Sequence, residues 1–443
     1  MKRSRIALFA VSLISVLLVA AISLGAYYGI ITKRTLHDIT TPDGPETVLA
    51  VYVLQEDPAQ SAADLAGYVL GMSRDDRARP DVLQLLDQLE KGTGEKQQAV
   101  LFENWFALAD GLREQACQAM ILEEAFMESL TEADGYSWLK EGVRQLETFT
   151  FSQEDKKPAA DENEPVAGES PEEDGAAESD APIPPDRLPA RFLVYISGID
   201  TFGGISARSR SDVNILAAVN TDTRQILLLS TPRDYYVAFN ASKGSKDKLT
   251  HAGLYGIGAS MDALERLYNV EIDYYLRLNF SGFVKIIDAL GGVDVYSDSD
   301  FSVAGVRDYH KGYNRLNGTE ALAFARERYS FSGGDYQRAS NQMEVIKAVL
   351  KKCTSVSLLK NYGEVMKGIA GSFQTNMPEE QIVSLVKMQL SDRRDWETES
   401  YTSAGINARR QTYSIPGREL FVILPDKKSV AAGQARLREI LER

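Results

Sequence analysis

Residues 153–188 cannot pack into a core, and this limits what the rest of the chain can fold into. Asp, Glu, Pro, Ala, Ser and Gly dominate the stretch, twelve acidic residues face three basic ones, and no aromatic residue follows Phe151 in it. Such a composition buries too little apolar surface to offset the entropy of ordering a chain. The expectation is a disordered acidic linker that keeps its two flanking parts mobile relative to each other. A chain of 443 residues is also too long for one compact core. Two domains are therefore expected, a smaller one at 47–152 and a larger one at 190–443.

The formal net charge is −14, and much of it sits in the linker. An acidic balance argues against general nucleic-acid binding, so no nucleic-acid partner is expected. The two cysteines, Cys117 and Cys353, fall in different halves, and only His37, His251 and His310 are present. A disulfide framework, a cysteine metal site and a multi-histidine site are all disfavoured.

At the N-terminus a basic tail, residues 1–5, precedes an uncharged stretch from Ile6 to Thr32 that Lys33-Arg34 closes. This run exceeds the ~20 residues that cross a bilayer and the ~7–15 apolar residues of a cleaved signal. The expectation is an uncleaved signal-anchor at 6–32, with a cleaved signal as the alternative. It makes the protein a single-pass cell-membrane protein with a cytoplasmic N-terminus and an extracellular bulk. Tyr27 and Tyr28 near the outer end suit an interfacial belt.

Within 47–152 the run from Thr47 to Leu54 is continuously apolar and β-prone, as in a strand buried on both faces. A turn into a short strand at 63–71, helical periodicity at 82–89 and 105–113, a strand at 118–122 and a helix at 123–130 complete a small α/β unit. It holds no titratable cluster of catalytic type, so a structural or binding module is expected. In 190–443, strands at 191–196, 213–219, 225–230 and 273–278 precede or alternate with helices at 260–268, 281–290, 319–325, 340–352 and 379–390. Edge strands at 397–402, 411–415 and 420–423 and a closing helix at 429–441 follow. The fold class is α/β, a mixed central sheet covered by helices on both faces.

Three charged clusters lie at the ends of these apolar segments: Arg210-Ser211-Asp212, Pro232-Arg233-Asp234, and the run from Arg326-Glu327-Arg328 to Asp335, Arg338 and Gln342. Arginines interleaved with aspartates suit a phosphate or pyrophosphate with a hard divalent cation, because guanidinium forks grip phosphate oxygens and carboxylates hold Mg²⁺. Asp200 closes the first strand and Asp212 opens the second, so the two could share one metal; each could equally cap a strand end. Pro232 stiffens the backbone that carries Arg233, although Arg233 and Asp234 could simply pair at a surface. Arg326 and Arg328 diverge on a helix and converge only if the helix ends between 325 and 328. Asp335, Arg338 and Gln342 share one helix face, which could also be a plain solvated stripe. Lys248 and His251 occupy a loop before the next helix. His251 could serve as a general base or as a packing histidine.

In this order, Gly198-Ile199-Asp200, Arg210-Ser211-Asp212, Pro232-Arg233-Asp234, Lys-Leu-Thr-His-Ala (248–252), Leu-Gly-Gly-Val (290–293), Leu-Asn-Gly through Arg326-Glu327-Arg328, and Gly-Asp-x-x-Arg-x-x-x-Gln (334–342) resemble the LytR-CpsA-Psr family of cell-wall glycopolymer transferases. The preceding unit resembles the periplasmic-binding-protein-like accessory domain of some members. The resemblance implies a long apolar groove for a polyprenyl chain. It also implies transfer of a glycopolymer from undecaprenyl pyrophosphate to a peptidoglycan sugar hydroxyl, as in teichoic acid or capsule attachment.

Carried over position by position, Asp200 and Asp212 would hold Mg²⁺ or Mn²⁺. Arg210, Arg233, Lys248, Arg326, Arg328, Arg338 and Gln342 would bind the pyrophosphate. Arg210, Arg233 and Asp234 would be catalytic, with Asp335 and His251 in support. The implied partners are a polyprenyl-pyrophosphate-linked glycan, peptidoglycan and the membrane. Where the family commonly has Arg-Gln, this chain has Asn341-Gln342. Two alternatives stay open: a lipid-pyrophosphate hydrolase at the same site, and a non-catalytic binding or regulatory member. Phe280, Phe283 and Ile286 can belong either to the groove or to the core.

Overall fold

The computed structural model describes residues 40, 46–151, 188–199, 201, 205–331, 333–354, 365, 369 and 371–442. The expected tail and signal-anchor at 1–32, Asp200 and nearly all of the 153–188 linker lie outside the described residues. Among the described residues no helix is long and apolar enough to cross a membrane.

Strands β1 (Thr47–Leu54), β2 (Val69–Ser73), β3 (Gln98–Phe102), β4 (Ala119–Glu123) and β5 (Val143–Phe151) form one mixed sheet, in the order β3-β2-β4-β1-β5. β1 is antiparallel to both of its neighbours. Its alternation sends Ala50 and Tyr52 to one apolar cluster and Leu49, Val51 and Val53 to another. The helix Trp105–Arg113 covers the first face through Phe106, Leu108 and Leu112. The helix Pro80–Thr93 covers the second through Val82, Leu85 and Leu89. The edge strands β3 and β5 escape sequence reading because much of each is exposed, which blurs an apolar pattern.

The larger sheet follows the same logic. Its strands are β6 (Arg191–Ile199), β7 (Ser211–Asn220) and β8 (Gln225–Ser230); β9 (Tyr236–Ala238) and β10 (Lys246–Lys248) make a separate small ribbon. After β11 (Tyr274–Asn279) come the short pairs of β12 (Val293–Ser297) with β15 (Gly312–Leu316) and of β13 (Phe301–Val303) with β14 (Arg307–Tyr309). The last strands are β16 (Phe373–Thr375), β17 (Glu397–Thr402), β18 (Gly405–Gln411) and β19 (Glu419–Pro425). The sheet order is β16-β11-β6-β7-β8-β17, with β6–β11 and β8–β17 parallel and the other pairings antiparallel.

Leu216, Ala218, Leu227 and Leu229 face one cluster, joined by the helices Ile257–Tyr268 and Lys427–Glu442. Ile215, Ala217, Ile226 and Leu228 face the other, joined by Met343 from the helix Asp335–Cys353 and Ile382 from Glu379–Asp392. The fold is α/β, with a mixed sheet between helical layers. The expected strand at 411–415 is instead β18, which pairs with β19. Beyond Gln411 the chain turns inward, burying Thr412, Ser414 and Ile415.

The two parts of the molecule share a core. Leu254, Ile415 and Leu420 from the larger part belong to the same apolar cluster as Phe106, Met120 and Tyr136 from the smaller one. The Arg418 guanidinium lies 5.6 Å from the Phe106 ring and 4.8 Å from that of Tyr136. Arg409 pairs with Asp134 at 2.7 Å, and Glu46 forms a parallel bridge to Ala207. The relative mobility expected from the linker is therefore corrected for the described residues, because continuous apolar burial holds the two parts together.

Candidate functional site

The end of β6, the start of β7 and the ends of β8 and β17 meet at one edge of the large sheet, where Ile199 is opposite Ser211, Ile215 opposite Ser230 and Thr402 beside Ser230. Arg210 immediately precedes β7, and Thr231-Pro232-Arg233 immediately follows β8. The segment carrying Lys248 returns beside Arg233, tied by Leu249 N–H to Tyr235 O and Thr250 N–H to Arg233 O, each at 2.8 Å. Gly253 packs its backbone against residues 209–211: a Cβ there would stand 2.6 Å from Ser209 O and 2.7 Å from Ser211 N. This contact sets where Arg210 leads into β7.

Asp212 sits at the centre. Its Oδ2 accepts from Arg233 Nη1 at 2.7 Å, and its Oδ1 accepts from the Thr250 hydroxyl at 2.7 Å. Arg210 Nη2 stands 3.8 Å from Asp212 Oδ2. Burial would raise the Asp212 carboxyl, but Arg233 and Arg210 outweigh it and hold the group well below the usual carboxylate range. Asp234 draws in Lys248, with Nζ at 3.0 Å, and the Arg233 Nε at 3.8 Å. Asp335 and Arg338, at the N-terminal end of the helix Asp335–Cys353, pair at 2.5 Å. Asp212, Arg233, Asp335, Arg338 and Gln342 all line one open cleft.

The other expected site residues are placed as follows. The helix Gly318–Arg326 does end at Arg326, and Glu327 is extended (φ −65°, ψ 130°). The Arg326 guanidinium lies 4.3 Å from the Phe280 ring. Arg328 donates to the Tyr329 hydroxyl at 2.6 Å and stands near enough to Arg338 to add to the lowering that burial imposes there. His251 is fully buried and its Nδ1 lies 2.7 Å from Asp247 Oδ1. It occupies a packing position, which corrects its reading as a general base: no reacting group can reach it. Asp247 also accepts from the Lys248 N–H, so the pair steadies the segment that carries Lys248. Phe283 and Ile286 pack against a core cluster. Asn341 is buried and points away from the cleft; its Nδ2 donates to Phe324 O at 3.2 Å. It satisfies a last-turn carbonyl of the helix that ends at Arg326.

The sequence reading missed one participant. Glu132 follows the helix Glu124–Thr131 of the smaller domain. Its carboxylate lies 3.0 Å from Arg210 Nη1, 3.5 Å from Arg233 Nη2 and 3.5 Å from Lys248 Nζ. Glu128, one turn earlier, pairs with Arg210 at 2.6 Å. Burial alone would raise the Glu132 carboxyl; Arg210, Lys248 and Arg233 outweigh it and lower it to about 2. No local pattern marks Glu132, because its partners lie 78 to 116 positions away.

For a divalent cation, Asp212 would supply a charged oxygen ligand; Arg233 donates to one of its oxygens and the Thr250 hydroxyl to the other. Among the described residues no group of three or more His, Cys, Asp or Glu could cage a metal. This donor set fits an ion that takes one or two carboxylates and completes its shell with phosphate oxygens.

Several known proteins resemble the chain. The LytR_cpsA_psr family model matches residues 150–424. The polyisoprenyl-teichoic acid–peptidoglycan teichoic acid transferase TagU of Bacillus cereus is 37% identical over 198 residues, 44% of this chain and 63% of that protein. The chain thus matches less than two thirds of that relative's length. Among solved structures, B. subtilis TagV aligns with TM-score 0.48 and 24% identity over 57% of this chain and 97% of its own. Lin1025 from Listeria innocua aligns with TM-score 0.47 and 28% identity over 57% of this chain and 99% of its own. With the family model covering more than half of its length, the chain belongs to the LytR-CpsA-Psr family.

Proposed function

We propose that the chain is a membrane-anchored, extracytoplasmic phosphotransferase that moves a glycopolymer from a polyprenyl pyrophosphate, undecaprenyl pyrophosphate in particular, to a peptidoglycan sugar hydroxyl. One observation carries the reading: cations from separate segments converge at one cleft, with Arg210, Arg233 and Arg338 acting on Asp212 and Lys248 held beside them by Asp234 and Glu132. The relatives named as teichoic acid transferases support the substrate class.

In this reading the acceptor oxygen attacks the glycan-bearing phosphorus. A P–O bond forms to the sugar and the P–O bond to the bridging oxygen breaks. The departing lipid monophosphate keeps that oxygen and ends with the hydroxyl proton. Such chemistry needs positioning and charge neutralisation rather than a covalent enzyme intermediate. Arg233 and Arg338, at the cleft, neutralise the growing phosphate charge; Arg210 and Lys248 set the field behind them. Asp212, with Asp200, would hold Mg²⁺ or Mn²⁺, which when bound would supply further charge neutralisation on the phosphates.

The test is to incubate the detergent-solubilised full chain with Mg²⁺, a lipid-pyrophosphate glycan and peptidoglycan oligomers. Formation of a glycan–peptidoglycan phosphodiester with release of lipid monophosphate supports the proposal. Release without an adduct identifies a hydrolase, and binding without turnover identifies a non-catalytic member; either sinks it.

A further inference from the structure

Arg210, Arg233 and Lys248 all point at one carboxylate that the larger domain does not own. Glu132 lies 3.0, 3.5 and 3.5 Å from them, with its side chain 26% exposed, while Arg210 and Lys248 are 2% and 4% exposed. A carboxylate and a phosphate present the same face to a guanidinium, two anionic oxygens for a bidentate fork. Glu132 therefore stands where three cations would otherwise meet a phosphate oxygen. Glu128 adds a second carboxylate on Arg210. The shared apolar core formed with Leu254, Ile415 and Leu420 keeps the helix that bears Glu128 and ends just before Glu132 in place. A swing of the Glu132 side chain, without domain separation, is enough to vacate the position.

We propose that Glu132 is a resident competitor for the anion position, so that the accessory domain sets how tightly the site takes a lipid pyrophosphate. The inference rests on the reading of this site as a pyrophosphate cradle. The ligand must displace Glu132 from Arg210, Arg233 and Lys248, and that exchange lowers the apparent affinity. It also selects ligands that carry more negative charge than one carboxylate, such as a pyrophosphate diester with its two negative charges. Any ligand of the accessory domain that shifts the helix Glu124–Thr131 shifts this competition.

The test uses the full chain, Mg²⁺ and inorganic pyrophosphate as the probe, with calorimetric titration of wild type, Glu132→Gln and Arg233→Ala. Glu132→Gln keeps the shape and removes the charge, and is expected to bind roughly tenfold tighter, within the 5–150-fold typical of coupled sites. It is also expected to lower KM for the lipid substrate more than it changes kcat. Equal or weaker binding by Glu132→Gln, with binding lost in Arg233→Ala, would overturn the role of Glu132 and leave the cradle standing. No binding by wild type or Glu132→Gln would sink the cradle itself.

A second measurement needs no variant. Zero-length carbodiimide coupling should join Lys248 to Glu132 in wild type, and pyrophosphate should suppress that link at least several-fold relative to the surface pair of Lys91 and Asp87, 2.6 Å apart. An unchanged link under saturating pyrophosphate would show that the ligand does not displace Glu132.

Discussion

Arg210 holds its charge almost entirely out of water, with a side chain 2% exposed and carboxylates of Glu128, Glu132 and Asp212 within 4 Å. Stripping one member from such a buried set leaves an uncompensated charge, which costs more than the pair contributed. Arg233→Ala is accordingly expected to lower kcat/KM by about 10²–10³, measured in the transfer assay. Arg233→Lys, which keeps the charge but loses the fork, should recover only part of that loss. Acid should act through the same residues. The Glu132 carboxyl is lowered from 4.5 to about 2, and Asp212 is shifted the same way. A depressed carboxyl contributes stability that is complete above its unfolded pKa and lost as pH falls through the folded one. Thermal stability should therefore decline from about pH 4.5 towards about pH 2, and Glu132→Gln should flatten part of that slope; an unchanged slope contradicts the assignment. At this scale the sequence shows Arg210, Arg233, Asp212 and Arg338, because each lies in a short charged motif at the end of an apolar run. It conceals Glu132, whose role depends on how two domains dock.

At the scale of elements, two small contacts aim the site. Gly253 lets the turn after the helix Leu249–Ala252 approach residues 209–211, where a Cβ would sit 2.6 Å from a carbonyl oxygen. Gly253→Ala must push β7 away, with an expected stability loss of about 1–3 kcal/mol and reduced turnover, measured by denaturant unfolding and kinetics together. Asn341 ties the helix Asp335–Cys353 to the last turn of Gly318–Arg326 through Phe324 O. Asn341→Ala should cost about 1 kcal/mol. Asn341→Arg, which restores the family's common residue, would place a charge at a position 4% exposed and should destabilise further. A stabilised Asn341→Arg would contradict this placement. The internal strands and long helices are legible from periodicity because both faces of each sheet are covered. The edge strands β3, β5 and β18 are not, since exposed positions such as Ile406, 65% exposed, carry no core pattern.

For the whole molecule, the acidic linker suggests two independent bodies, yet the apolar cluster containing Phe106 and Tyr136 also contains Leu254, Ile415 and Leu420. Composition reports only whether a segment can pack on itself; it is silent on what the flanking domains bury against each other. A fragment of residues 190–443 alone would expose those three side chains, at about 1.5–3 kcal/mol each. Its melting temperature should fall by several degrees or more relative to the full chain, or it should aggregate; equal stability would contradict a shared core. The central claim is that the cations gathered around Asp212 act on a lipid-linked pyrophosphate. The most direct measurement is the reconstituted transfer reaction, run side by side on the full wild-type chain and on a folded Arg233→Ala variant with Mg²⁺ present. The account predicts a glycan–peptidoglycan phosphodiester from wild type and a loss of about 10²–10³ in the variant. Near-normal transfer by Arg233→Ala, or no adduct from wild type, would contradict it.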